Sequence, residues 1–132
     1  MTRIIVVADH GPTLENLTRT LYGLRGVEIV RHLSGRPPIS LVKRLEPDLV
    51  FIDELARPEF CVAAVRRART ATPTAAIVVR AARPDAAWLG RALAAGADAV
   101  LPAVADGPTL LLVLEEVLAA RAPDKTPIAV AA

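Results

Sequence analysis

Two carboxylates stand where apolar runs end: Ile4-Ile5-Val6-Val7-Ala8 leads into Asp9, and Leu49-Val50-Phe51-Ile52 leads into Asp53. In an open parallel sheet, ligands bind in the crevice beyond the carboxyl ends of the strands, so acids at those ends are candidates for chemistry. Two carboxylates brought together there can hold a hard divalent cation such as Mg²⁺, which accepts one or two carboxylates and keeps several waters. With only two acids such a site is weak. The plainer reading of Asp53 is a cap on the following turn or helix, a frequent use of Asp.

The elements that must position these acids follow from local pattern. Ile4 to Ala8 is a β-branched run closed by Asp9-His10-Gly11-Pro12, a strand and a turn. A helix opening at Pro12 or Thr13 carries Leu14, Leu17, Leu21 and Leu24 at helical spacing, and Gly23 and Gly26 end it. Val27 to Val30 alternates partly and suits an edge strand. Pro37-Pro38 starts a second helix with Ile39, Val42 and Leu45 on one face, and Pro47 stops it before the central strand. Pro58 introduces a third helix with Cys61, Val65 and Ala68 inward and Arg66, Arg67 and Arg69 outward. Ala75 to Val79 is a fourth buried strand that ends on Arg80. Pro84 opens a fourth helix with Leu89, Ala92, Leu93 and Gly96 at helical spacing and Trp88 beside that stripe. Ala99-Val100-Leu101 is a short fifth strand, and Asp106-Gly107-Pro108 caps a helix from Thr109 to about Arg121.

Five strands alternating with five helices predict an α/β doubly wound parallel sheet covered on both faces. Among the few orders open to such a (βα)5 sheet, the flavodoxin-like order 2-1-3-4-5 sets strands one and three side by side, so that Asp9 and Asp53 face one crevice. The 132 residues suffice for one hydrophobic core and no more. Residues 1–121 are expected to form the domain, with the Pro- and Ala-rich stretch 122–132 as a tail or the start of a linker.

Composition narrows the function classes. The net charge is +2 and the cations are scattered, with no basic run to suggest direct nucleic-acid binding. Cys61 is the only cysteine, which excludes a disulfide framework and a cysteine-based metal site. No signal peptide precedes the first strand and no apolar run approaches the ~20 residues of a membrane span, so a soluble, cytoplasmic protein is expected. The turn after strand one lacks Gly-x-Gly-x-x-Gly, which disfavours a dinucleotide site. It also lacks the hydroxyl-rich loop of a flavodoxin and the Asp-x-His-x-x-Gly of cobalamin modules. No nucleophile, base and orienting acid gather at the strand ends, so an enzyme is not expected.

Three segments together resemble the receiver domain of bacterial response regulators, over about residues 3–118. Val6-Val7-Ala8-Asp9-His10 is similar to that family's first-strand signature, which ends in paired acids. Pro47-Asp48-Leu49-Val50-Phe51-Ile52-Asp53 is similar to its third strand, with the phosphoacceptor Asp at the end. Gly90 to Leu101 is similar to its helix four and strand five. The resemblance implies a two-component signalling module in which Asp53 is the phosphoacceptor and Asp9 and Asp53 bind Mg²⁺, with Glu54 or the Leu55 carbonyl as further oxygen donors. It implies a histidine kinase or another signalling protein as partner. It also implies that helix four, strand five and helix five form the homodimer or output face.

Three family positions depart from the pattern. The first acid of the pair is Ala8, the strand-four hydroxyl is Arg80, and the strand-five Lys is Ala103. No Ser, Thr or Lys occurs between Ala75 and Pro108, so no shift of register restores them. Phosphoryl transfer rests on positioning and electrostatics, so each lost donor bears on rate directly. The expected function is therefore an atypical receiver, or pseudo-receiver, acting through protein contacts with phosphorylation of Asp53 impaired or absent. The alternatives are a slow Mg²⁺-dependent phosphoacceptor and a ligand-sensing module of the same fold. Arg80 has two readings: a guanidinium that pairs with Asp53 or Asp9 in place of the cation, or a side chain in solvent beside Arg83. Trp88 divides between core packing and partner contact. Leu112, opposite the core face of Leu110, Val113, Leu114 and Val117, is the other interface candidate. His10 and Cys61 are expected to be a surface or structural residue and a core residue.

Overall fold

The computed structural model describes residues 1–9, 12–53, 58–82, 85–103 and 105–121. The chain runs β1 (Thr2–Val7), α1 (Pro12–Leu21), β2 (Val27–Leu33), α2 (Ile39–Leu45), β3 (Leu49–Asp53), α3 (Pro58–Ala71), β4 (Ala76–Ala81), α4 (Ala86–Ala95), β5 (Ala99–Pro102) and α5 (Gly107–Arg121). All strand pairs are parallel, in the order β2-β1-β3-β4-β5, which is the expected flavodoxin-like arrangement. Every residue of β3 is buried, as a central strand covered on both faces requires.

Alternation along the strands divides the interior into two layers. Ile5, Val7, Val50, Ile52, Ile77 and Val79 face α2, α3 and α4. Ile4, Val6, Leu49, Phe51, Ala76 and Val78 face α1 and α5. Cys61 lies in the first layer as a buried core residue.

Three elements differ from the expectation in informative ways. Strand β2 continues to Leu33, because after an irregularity between Ile4 and Ile5 it pairs Arg31, His32 and Leu33 with Ile5, Val6 and Val7. Strand β4 extends through Arg80 to Ala81, so Arg80 is held in the ladder. In α4 the helix phase places Trp88 and Ala92 inward and leaves Leu89 and Leu93 exposed. The N-cap sets that phase: the Asp85 carboxylate accepts the Trp88 N–H at 2.8 Å, and the largest side chain of the helix turns into the core. Trp88 is 4% exposed, so it serves packing and offers no contact surface, a correction to its place among the interface candidates.

Helix α4 ends in a Schellman turn at Gly96, whose φ is +123°. The Gly96 N–H donates to Leu93 O and the Ala97 N–H to Ala92 O, at 3.0 and 3.1 Å. Helix α2 ends on Glu46 in a left-handed conformation, and Arg3 donates Nε and Nη2 to the Leu45 carbonyl at 3.0 and 2.8 Å. Among the described residues, no helix is long and apolar enough to cross a membrane.

Candidate functional site

The register of the sheet decides what meets at its carboxyl end. Val7 pairs with Ile52, Ile52 with Val79, and Asp53 with Arg80. Ala8 therefore follows β1 in the same row as Asp53 and Arg80, and all three project to the α1/α5 side, where Ala8 is buried. Adjacent parallel strands at matched register bring the two charged side chains together across the ladder.

Asp53 and Arg80 form a bidentate ion pair. Arg80 donates Nε to Asp53 Oδ1 at 2.7 Å and Nη2 to Oδ2 at 2.8 Å. The Asp53 side chain is 3% exposed and that of Arg80 14%, so the pair is almost withdrawn from water. A planar guanidinium matches the two carboxylate oxygens and carries permanent charge, which satisfies a buried carboxylate without a metal. Of the two readings of Arg80, the structure has the paired one.

The remaining positions surround this pair. Asp9 is exposed, two residues past the last β1–β3 partner. His32 Nε2 lies 2.9 Å from the Ala8 carbonyl, and Ala8 N–H donates to Leu33 O at 2.9 Å, so β2 fixes the end of β1. Ala103 continues the β4–β5 pairing by donating its N–H to Ala81 O at 2.8 Å, and its methyl group supplies no cation. Glu54, Leu55, His10 and Arg83 lie outside the described residues, as does the stretch 122–132.

As a cradle for Mg²⁺ the donor set is poor. Ala8 contributes no side-chain oxygen, and both Asp53 oxygens face a guanidinium whose charge repels a dication. Among the described residues no group of three or more His, Cys, Asp or Glu side chains could hold a metal ion. In this paired arrangement the described residues do not fit the cation.

A second charged constellation, at the opposite end of the sheet, has no counterpart in the sequence reading. Asp98, just before β5, accepts Arg69 Nη2 at 2.9 Å and the Ile77 N–H at 2.8 Å on Oδ2. Its Oδ1 accepts Arg121 Nη2 at 2.6 Å and Nε at 3.0 Å. Arg69 also donates to the carbonyls of Thr72, Pro73, Ala75 and Gly96. Burial first, and then the neighbouring Arg121 charge, push the Arg69 guanidinium below its ordinary value, opposed by Asp98. This cluster ties the ends of α3, α4 and α5 together, and it draws Arg69, which helical spacing set outward, into a half-buried position.

No family profile matches the chain. Over 54 residues, 40% of the chain, it is 41% identical to an uncharacterized response regulatory protein of Yersinia pestis, of whose length the match spans 23%. The signal receiver domain of the response regulator NarL of Mycobacterium tuberculosis superposes with a TM-score of 0.77 at 19% identity, over 89% of this chain and 95% of that one. A CheY-like receiver domain of Methanospirillum hungatei gives 0.76 at 18%, over 92% and 96%. A LuxR-family two-component response regulator of Aurantimonas gives 0.67 at 27% identity, over 94% and 92%. The fold is that of response-regulator receiver domains.

Proposed function

We propose that this chain is an atypical receiver domain of a response regulator, one that signals through protein contacts and in which Arg80 has taken the place of metal and phosphate at Asp53. The observation that carries this reading is the bidentate pair: both oxygens of the acid at the phosphoacceptor position are engaged by one guanidinium at 2.7 and 2.8 Å. An in-line attack on a phosphodonor needs a free carboxylate oxygen and charge neutralisation around the transferring group. Here the oxygens are committed, Ala8 and Ala103 supply neither acid nor ammonium, and a phosphoryl group on Asp53 would have to displace Arg80. The pair also ties the end of β3 to the end of β4, from which the chain runs on to α4.

The partner face that fits is α4, β5 and α5. Leu89 and Leu93 lie exposed one turn apart on α4, and Leu112 is 57% exposed on α5. A signalling protein or a second copy would cover these side chains.

The test is intact-mass spectrometry after incubation with a small-molecule phosphodonor and Mg²⁺, under conditions that label an ordinary receiver. The chain is expected to gain no phosphoryl group. An Ala8→Asp/Arg80→Thr/Ala103→Lys variant is expected to gain one and to lose it on further Asp53→Asn substitution. A phosphoryl group on the unaltered chain, absent from Asp53→Asn, would overturn the proposal and make this a working phosphoacceptor.

A further inference from the structure

Among the described residues, the two helical layers carry opposite charge. On the α2–α3–α4 side, Arg36, Lys43, Arg44, Arg66 and Arg91 are exposed and Arg67 is half-buried, against the acids Glu46, Glu59 and Asp85. The last of these is occupied as the N-cap of α4. On the α1–α5 side, Glu15, Glu115 and Glu116 are exposed against Arg19 and Arg25, Asp106 is occupied as a helix cap like Asp85, and α5 has no cation before Arg121, which Asp98 engages. The separation follows from the topology, since α2, α3 and α4 cover one face of the sheet and α1 and α5 the other. Each side also shows large apolar groups among its charges. Phe60 is 42% exposed at the start of α3, and Tyr22 and Leu112 are both 57% exposed on the α1–α5 side.

We propose that copies of this chain associate head to tail, the basic α2–α3 face of one copy seating on the acidic α1–α5 face of the next. The two faces lie on opposite sides of one sheet, so a single copy cannot satisfy both, and a second copy supplies the complement of each. This arrangement is heterologous and leaves one face open at each end of an assembly, unlike a two-fold dimer. Charge complementarity selects this occupant over a polyanion. A nucleic acid would account for the cations alone and leave the acids of α1 and α5 unexplained, and a net charge of +2 gives little long-range attraction to one. The inference makes no use of the state of Asp53, so it stands independently of the phosphorylation reading, although α5 with Leu112 is common to both surfaces.

The experiment is sedimentation velocity on the full chain over a concentration series at low and high salt, with two charge-reversal variants. One carries Lys43→Glu, Arg44→Glu and Arg66→Glu; the other carries Glu15→Lys, Glu115→Lys and Glu116→Lys. The unaltered chain is expected to self-associate at low salt and to dissociate at high salt, where screening shortens to about 3 Å near 1 M. Each variant alone is expected to associate at least about tenfold more weakly. Mixed, the two variants are expected to associate again, because the intact acidic face of one meets the intact basic face of the other and the two reversed faces are also opposite in charge. That rescue also shows that both variants are folded. An unaltered chain that stays monomeric at every salt concentration, variants that associate as it does, or a mixture that stays monomeric would each overturn the proposal. Binding of a DNA duplex that is lost in the basic-face variant, without self-association, would overturn it in favour of a nucleic acid.

Discussion

Replacing Arg80 by Ala strands a carboxylate. Asp53 is 3% exposed and both its oxygens accept from Arg80, so Arg80→Ala leaves a buried charge without its paired cation. Removing one partner of a buried pair costs about 3–5 kcal/mol. The upper part of that range applies here, because the group left behind is the more buried of the two, and we take about 4 kcal/mol. Asp53→Asn should cost less, about 2 kcal/mol, since the amide oxygen still accepts one bond and the guanidinium retains some access to solvent. Replacing both, as Asp53→Val with Arg80→Met, should return to within about 1 kcal/mol of the unaltered chain, because an apolar pair of similar volume incurs no desolvation of charge. Urea unfolding followed by circular dichroism separates these cases. With a slope of about 1.5 kcal/mol per molar, a loss of 4 kcal/mol lowers the midpoint by about 2–3 M. The loss should persist at high salt, since a buried pair is screened little. An Arg80→Ala variant within 1 kcal/mol of the unaltered chain would refute the buried-pair reasoning. So would a double variant as unstable as Arg80→Ala, because the cost would then lie in packing around Arg80 and not in the stranded charge.

Three further outcomes follow from the opposite end of the sheet and from α5. Asp98→Ala removes the acceptor shared by Arg69, Arg121 and the Ile77 N–H, and a loss of about 3 kcal/mol is expected in urea unfolding, with Asp98→Asn losing less. Gly96→Ala places a Cβ 2.7 Å from Arg69 Cγ at a φ of +123°, so strain and clash combine. A fall in melting temperature of about 5–10 °C is expected, and a change under 2 °C, in about the range of a neutral surface substitution, would refute the strain. The Asp106 carboxylate lies below its ordinary value of 3.8 because hydrogen bonds from the Thr109 side chain and then from the Thr109 N–H, the latter at 2.8 Å, favour the charged form. A depressed folded value means that the cap stabilises α5 above the unfolded value and is lost as pH falls through the folded one. Carboxyl NMR should place the Asp106 midpoint below 3.8, and Thr109→Pro, which removes both the side-chain and the N–H donor, should raise it.

The sheet was legible in the letters because its strands are short apolar runs bounded by Pro, Gly and Asp, and buried parallel strands need little else. The Asp53–Arg80 pair was legible as one of two alternatives, since both residues close a strand and the strand order makes those strands neighbours. What the letters could not settle was the side chain's choice between carboxylate and solvent, which depends on β4 extending through Arg80. In helix α4 the inward place of Ala92 was legible but the outward places of Leu89 and Leu93 were not, because these two compete with Trp88 for the same side at helical spacing. Periodicity cannot separate two stripes one residue apart; the Asp85 cap and the size of the indole do. The Asp98 cluster was not visible at all, because its arginines lie 29 and 23 residues from Asp98 and meet it only after the helices pack.

The two arginine–aspartate sets divide the labour of the fold. Arg69, Asp98 and Arg121 join helix ends that no backbone ladder connects, so that cluster holds α3, α4 and α5 against the amino-terminal end of the sheet. Asp53 and Arg80 already neighbour each other in the β3–β4 ladder, so their pairing adds little to the topology. Its consequence is local: it neutralises Asp53, which among the described residues is the buried carboxylate at the carboxyl end, and on the function proposed above it keeps a dication and phosphate from that acid. If stability alone were at stake, an apolar pair would serve as well, which is what the Asp53→Val/Arg80→Met variant measures. On the function proposed above, a chain that keeps the acid while committing both its oxygens takes its signal at the helical surfaces and not at the strand ends. The opposite charges of those surfaces, and the exposed leucines of α4 and α5, are where partners should then be sought.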